Sequence, residues 1–314
     1  MDGRGAECTR RDPCSNWNAA LRAARPGDVV NVLPGHHGSQ KLRKADAKPV
    51  GSAPVLFRGA GTGSTRVGQL DVEVPETTFA SLQVTSEVRV RRTASGTTLS
   101  MLQVNGIVDL EADRSALLDS RVAPPADRDA VQVRSGAADV AIRGNVIGPG
   151  PRTGANHVDC VQVSWASRLQ ITGNTLYRCA TQSLHLKPDR GDVVDVLVQG
   201  NAIQGCVPRS DACNGYNAFD VRTAGHDIRD IRVIGNTVHG GVTFDDVPGL
   251  VLQRNLMNDH PGCLVGSTDN VFGRGGCDRP EANAVRSVRF VAPDADPPDL
   301  RAVPECACAG YGAR

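Results

Sequence analysis

Aliphatic and polar residues alternate in short runs along most of this chain, as in "VVNV" (29–32), "VQV" (131–133 and again 161–163), "SLHLK" (183–187) and "FDVR" (219–222). A period of two sends successive side chains to opposite faces, so these runs predict strands and not helices. The runs are punctuated by Asn after a second aliphatic stretch: "VAIRGNVI", "LQITGNTL", "VLVQGNAI", "IRVIGNTV" and "LVLQRNLM". The Asn residues are 145, 174, 201, 236 and 255, with gaps of 29, 27, 35 and 19. Asn and Gly tolerate the left-handed backbone of tight turns. Spacings of about 20 to 50 residues mark stacked repeats. Identical Asn residues stacked at one turn predict a ladder of side-chain hydrogen bonds. "TTFASLQV" (77–84) and "TTLSMLQV" (97–104), offset by 20 residues, read as two copies of one unit.

The N-terminal segment breaks the period. In "SNWNAALRAARPGDVVNVLPG", Trp17, Ala20, Leu21 and Ala24 share one helical face, Ser15 is a candidate N-cap, and Pro26-Gly27-Asp28 ends the helix before a first strand. A stack of strand coils needs such a cover, because an open end exposes core and unpaired edges.

"AALRAARPGDVVNVLPG", followed by Asn-punctuated strand repeats and the closing "PPDLRAVPECACAGYG", resembles the right-handed parallel β-helix proteins of the pectate-lyase-like superfamily. The resemblance covers nearly the whole chain. It implies an all-β fold, a single-stranded right-handed parallel β-helix with a short N-terminal capping helix. The expected organisation is one domain over 1–314: cap helix and first strand in 1–35, coils in 50–265, and a capping segment in 266–314. It does not imply one reaction. The superfamily holds polysaccharide lyases, glycoside hydrolases, epimerases, esterases, phage depolymerases and non-catalytic adhesins.

Composition narrows the field. Formal net charge is +1, which gives no global attraction to nucleic acid or anionic membranes. No apolar run is long enough to span a bilayer. The ten cysteines are even in number, and the near pairs Cys8/Cys14, Cys206/Cys213 and Cys263/Cys277 have the look of loop staples. Cys160 and Cys179 fall in adjacent coils and form a fourth candidate bridge. The reading is disulfides in an oxidising compartment, hence a secreted protein whose signal is absent from this sequence, acting as a monomer. A cysteine zinc site has little support, since "CAC" (306–308) is the only tight pair.

Aligning the strand before each Asn stacks "DAVQVRS", "DCVQVSW", "QSLHLKP", "NAFDVRT" and "GVTFDDV". Their aliphatic residues superpose as core. One outward column then reads Gln132, Gln162, His185, Asp220 and Thr243, and the next reads Arg134, Ser164, Lys187, Arg222 and Asp245. Long insertions at 148–157 and 206–216 flank this face and make it a cleft. Trp165, Tyr216, Arg178, His157 and Asp159 lie near it in sequence. An extended, acidic sugar chain suits a cleft with three cations, since guanidinium pairs with carboxylate through a fork.

Three functions compete. The first is β-elimination on a uronic-acid-containing polysaccharide. Here Arg222, Arg134 and Gln162 neutralise the sugar carboxylate, and His185 removes the proton. Lys187 serves as the alternative base or as a clamp. A His near 6.5 need only stay neutral, whereas a Lys near 10.4 must fall by several units. The second is inverting hydrolysis by Asp220 and Asp245, or epimerisation; the paired Asp residues 245–246 resemble those of polygalacturonase-like enzymes, whose other motifs are missing. The third is carbohydrate binding without catalysis. His157 with Asp159 either orients a catalytic group or braces the turn. No cofactor is implied. For calcium, used by some superfamily lyases, the best acidic pair is Asp159 with Asp129, and no acidic cage is evident.

Overall fold

The computed structural model describes residues 8–9, 11–207, 213, 217–259, 266–273, 283–306, 308 and 311–313. Its strands form three long parallel sheets of twelve, twelve and nine strands among the described residues. Sheet 1 begins at Val29–Val32, sheet 2 at Gly35–His36 and sheet 3 at Gln40–Leu42. The chain visits the three sheets in turn, so each coil lies in register on the one before it. This is a right-handed parallel β-helix, the handedness favoured for parallel crossovers.

The predicted stacking holds residue by residue. Thr78, Phe79 and Ala80 pair with Thr98, Leu99 and Ser100, and Gln83 pairs with Gln103. Aliphatic side chains fill the bore in columns; Val131, Val161, Leu184 and Phe219 are all fully buried. At the N-terminal end, helix Trp17–Ala23 buries Trp17, Ala20 and Leu21. Trp17 stacks on Phe57 and Phe79 at ring separations of 5.2 and 6.0 Å and closes the bore. The cap residue is Asn16, not Ser15: its side chain accepts from the Ala19 N–H. The coils also run beyond 265. Ser267–Thr268, Asn270–Phe272 and Asn283–Val285 still pair in sheets 1 and 2.

The Asn column is a continuous ladder. Asn145 Nδ2 donates to Leu117 O (2.8 Å) and to Asn174 Oδ1 (2.9 Å), which also accepts the Asn145 backbone N–H. The same set repeats through Asn174, Asn201, Asn236 and Asn255. It then continues into Asn270 and Asn283, which the sequence pattern did not reveal. From Asn145 to Asn270 these amides are sealed from water, so each needs every partner.

Disulfides join Cys8–Cys14, Cys160–Cys179, Cys206–Cys213 and Cys306–Cys308. The expected Cys263–Cys277 bridge lies outside the described residues. No helix is long and apolar enough to cross a membrane, among the described residues.

The C-terminal segment lies against the outside of sheet 2. Tyr177 Oη donates to Asp296 (2.7 Å), and its pKa is pushed up to about 12, chiefly by burial and then by that carboxylate. Gln204 donates to Pro293 O, and the His239 ring packs on Phe290 at 5.1 Å.

Two predictions follow from this architecture. Asn201→Ala strips acceptors from Asn174 and leaves Ile171 O without its donor. It should cost about 3 kcal/mol or more in chemical denaturation, far above a surface substitution. Half-buried His239 faces Phe290, the Gln204 amide and, at longer range, Asp294; desolvation lowers its pKa against a smaller opposing effect of Asp294. The unfolded chain therefore binds the proton more readily. Stability is complete above the usual histidine range and falls as pH drops through it toward the lowered folded value. Thermal unfolding at pH 7 and pH 5 should show this loss, and His239→Gln should shrink it.

Candidate functional site

Sheet 3 carries the columns foreseen from the sequence. Gln132 pairs with Gln162, Gln162 with His185, His185 with Asp220 and Asp220 with Thr243. Below Gln132 the column continues through Asp109, Arg89, Asp71 and Lys41. The alternation of apolar and polar positions directs all of these away from the bore. Facing away is not the same as being exposed, however. His185 is 6% exposed, and Asp220 is fully buried. Neighbouring side chains close over them, so the columns floor a recess and not an open surface.

Asp159 is the hub of the recess. It begins strand Asp159–Val163, follows the long insertion, and is completely buried. Its Oδ2 lies 3.1 Å from His185 Nδ1 and 3.0 Å from His157 Nδ1. Its Oδ1 accepts the Gln182 backbone N–H at 3.2 Å. The His157 and His185 rings are 5.4 Å apart. The hydrogen bond that His157 Nδ1 donates to Asp159 raises the His157 pKa, with desolvation opposing. Cys160–Cys179 pins the strand just beyond Asp159. Asp127 orders the insertion through the Thr153 and Gly154 N–H groups and the Thr153 hydroxyl, three bonds that lower its pKa.

Sequence reasoning linked His157 to Asp159 but did not place His185 on the same oxygen. Alternation alone would turn Asp159 toward the bore with Val161, yet its carboxylate meets His157 and His185. Gln182, also unforeseen, donates to Asp220 Oδ2 at 3.0 Å. The inner oxygens Gln182 Oε1 and Asp220 Oδ1 are buried without a partner among the described residues.

The cations differ in how firmly they are committed. Arg134 pairs with Asp109 at 2.6 Å and with Glu111 at 3.2 Å, and the Asp109 side chain is almost inaccessible. Breaking such a pair leaves a buried charge, at a cost of about 3–5 kcal/mol. Arg222 reaches Asp220 at 3.2 Å and approaches Asp245 at 3.9 Å. Among the described residues Lys187 pairs with Asp189 alone, at 2.9 Å, and both side chains are about one-third exposed. A pair of that kind is worth about 0–1 kcal/mol, so Lys187 is the cation most readily transferred to a ligand.

The remaining candidates separate. Trp165 is 37% exposed, edges the face, and holds Arg92 over its ring at 5.3 Å. Arg178 is not in the recess: it donates to Asp294 O in the C-terminal segment, on the sheet 2 side. Tyr216 lies outside the described residues. The two Asp residues considered for hydrolysis flank Arg222, and Asp245 Oδ2 is taken up by the Thr223 N–H and hydroxyl. Asp129 and Asp159 do not make a calcium cage. Asp129 Oδ1 accepts the Asp159 N–H and its Oδ2 accepts the Gln132 amide, donors that an oxygen-liganded cation would have to displace. Burial, and then the charge of Asp159, raise the Asp129 pKa.

No family model matches this sequence, and no curated protein matches it. Solved structures do. Pectate lyase Pel9A superposes with a TM-score of 0.52 at 11% identity, over 98% of this chain and 88% of that one. The PL6 family alginate lyase AlyGC gives 0.51 at 13% identity, over 95% of this chain and 55% of the lyase. The Dettilon tailspike protein gp208 gives 0.50 at 12% identity, over 85% of this chain and 63% of the tailspike. The chain thus spans less than two-thirds of the tailspike and of the alginate lyase, and what it shares with all three is the right-handed parallel β-helix fold.

Proposed function

We propose that this protein is a secreted enzyme that cleaves a uronic-acid-containing polysaccharide by β-elimination in the sheet 3 recess. The observation that carries the reading is the hydrogen bond from His185 Nδ1 to buried Asp159. A carboxylate on Nδ1 fixes the tautomer and leaves Nε2 with its lone pair, the arrangement that lets imidazole act as a base. In this reading Nε2 removes the proton beside the sugar carboxylate. The electrons form a carbon–carbon double bond as the C4–O bond breaks, and the departing oxygen takes up a proton from water to leave as a hydroxyl. Lys187, released from Asp189, and Arg222 sit on the adjacent column and neutralise the carboxylate, which makes the neighbouring proton removable. Gln162, directly below His185, supplies an amide for the same group.

The fold likeness to a pectate lyase and an alginate lyase is consistent with this reaction but does not choose it. The disulfides support an oxidising, extracellular setting. Epimerisation begins with the same proton removal and differs only in returning a proton in place of bond cleavage.

The test is a panel of pectate, alginate, glycosaminoglycan and glucuronan substrates, followed by the ultraviolet absorbance of the unsaturated product. Absorbance should rise with at least one polymer. Reducing ends without absorbance would mean hydrolysis, solvent deuterium in uncut polymer would mean epimerisation, and binding alone would mean a lectin-like role; each overturns the reading. On the productive substrate, Asp159→Asn should lower kcat by about 10²–10⁴-fold with little change in KM, because it frees the wrong tautomer of His185. Lys187→Ala should instead raise KM along with any loss in kcat. Full activity in both variants would place the reaction elsewhere.

A further inference from the structure

His157 Nδ1, Asp159 Oδ2 and His185 Nδ1 converge from three positions: the end of an insertion, the start of one strand and the middle of the next. The three groups offer ligand atoms that all lie within 4.8 Å of one another. We propose that they form a binding site for a divalent transition-metal ion of the zinc class.

Geometry supports this. Ligands at about 2.1 Å from an ion stand about 3.0 Å apart at right angles and about 3.4 Å apart in the tetrahedral set that zinc prefers. The two nitrogen-to-oxygen separations, 3.0 and 3.1 Å, match the first and fall a few tenths of an ångström short of the second, a gap that a small turn of the His157 ring closes on its side. Two of the three ligands are held rigidly. Asp159 is fully buried and tied through Gln182 N, and His185 is 6% exposed within strand Gln182–Leu186. His157 is the adjustable member: its side chain is 44% exposed at the end of the insertion, so its ring can turn to complete the set.

The donor chemistry selects the class of ion. Two imidazoles and one carboxylate suit zinc, iron, cobalt or nickel, whereas calcium and magnesium take oxygen ligands. With three protein ligands, coordination stays open toward the recess. Binding exchanges the Nδ1 hydrogens for the ion, so the three atoms are either a proton-sharing cluster or a metal site at a given moment. A ligated Nδ1 leaves the hydrogen on Nε2, so occupancy and the base role proposed above exclude one another.

Binding is read without any substrate. Chelator-treated protein is titrated with zinc chloride by calorimetry. The expectation is one ion per chain, at least about tenfold weaker binding in His157→Ala and in His185→Gln, and no competition from excess calcium chloride. Cobalt chloride should give visible bands in the wild type that both variants lose. Because His157 lies on an insertion, His157→Ala should keep the wild-type circular dichroism spectrum and a single cooperative thermal transition even where its midpoint falls, which separates a lost ligand from a lost fold. Absence of stoichiometric binding, or affinity unchanged in both variants, overturns the site. Where elimination activity is found, saturating zinc should suppress it at least tenfold and chelator restore it. Activity that is indifferent to zinc overturns the shared use of His185. Activity that requires zinc supports the metal site and overturns the base assignment instead.

Discussion

Everything in this fold follows from the demand that each coil lie in exact residue register on the last. Backbone pairing sets the spacing at about 4.8 Å, but parallel strands alone would tolerate a slip. The Asn column does not. Asn174 shows the pattern: its carboxamide oxygen accepts two donors from Asn145 in the coil below, and its nitrogen donates to the Asn201 oxygen above and to the Ile142 carbonyl of the coil below. A slip of one residue would unmatch several of these bonds at once, and none of the freed groups could turn to water. The insertion 148–157 accordingly sits in the turn between sheets 2 and 3, clasped by Asp127 and ending at His157 beside Asp159.

Register also explains how the outer face of sheet 3 divides in two. Its lower coils are a lattice of opposite charges: Lys41 with Glu73, Arg91 with Asp71, Arg89 with Glu87, and Arg134 with Asp109 and Glu111. Every charge there has its partner one coil or one column away, so the region presents little net field to a ligand. Above Arg134 the pattern changes. The columns pass to amides, imidazole and a lysine, and the ion pairs become solvent-facing or shared. Both parts keep buried polar atoms without a partner among the described residues, Asp109 Oδ1 and Arg134 Nε below and Gln182 Oε1 and Asp220 Oδ1 above, so what divides the face is how firmly its charges are paired.

That division explains what the sequence could and could not disclose. Period-two runs and recurring Asn were enough for the architecture, and aligning the runs gave the neighbours of Gln162, His185 and Asp220 correctly, because strand register is a local consequence of turn and core patterning. Burial was not readable in the same way. Alternation says that His185 points away from the bore, but not that His157 and Gln182 close over its surroundings. Ion-pair commitment was equally hidden: Arg134 and Lys187 occupy the same column and look interchangeable in sequence, yet one is locked to a buried carboxylate and the other is loosely held. Arg178 was assigned to the wrong wall because it stands at the bend that ends sheet 2 strand Thr175–Tyr177, where one residue of difference decides whether a side chain faces sheet 2 or sheet 3. Asp159 was undervalued for the same reason in reverse.

Asp159 therefore concentrates the energetics of the recess. A carboxylate wholly removed from water needs compensation of several kcal/mol, and here it comes from two imidazoles and a backbone N–H. The two imidazoles are not equivalent. His185 is fixed by the strand ladder and stays beside Asp159 as long as the coil is folded. His157 depends on the insertion, whose conformation is set by Asp127 clasping Thr153 and Gly154 and by the disulfide at Cys160. The stack thus supplies a permanent Asp–His pair, while a surface loop supplies the third member on terms of its own. Any change in loop conformation is felt at a buried charge. The chemistry of the recess is governed as much by residues 127 and 153–154, outside the columns, as by the columns themselves.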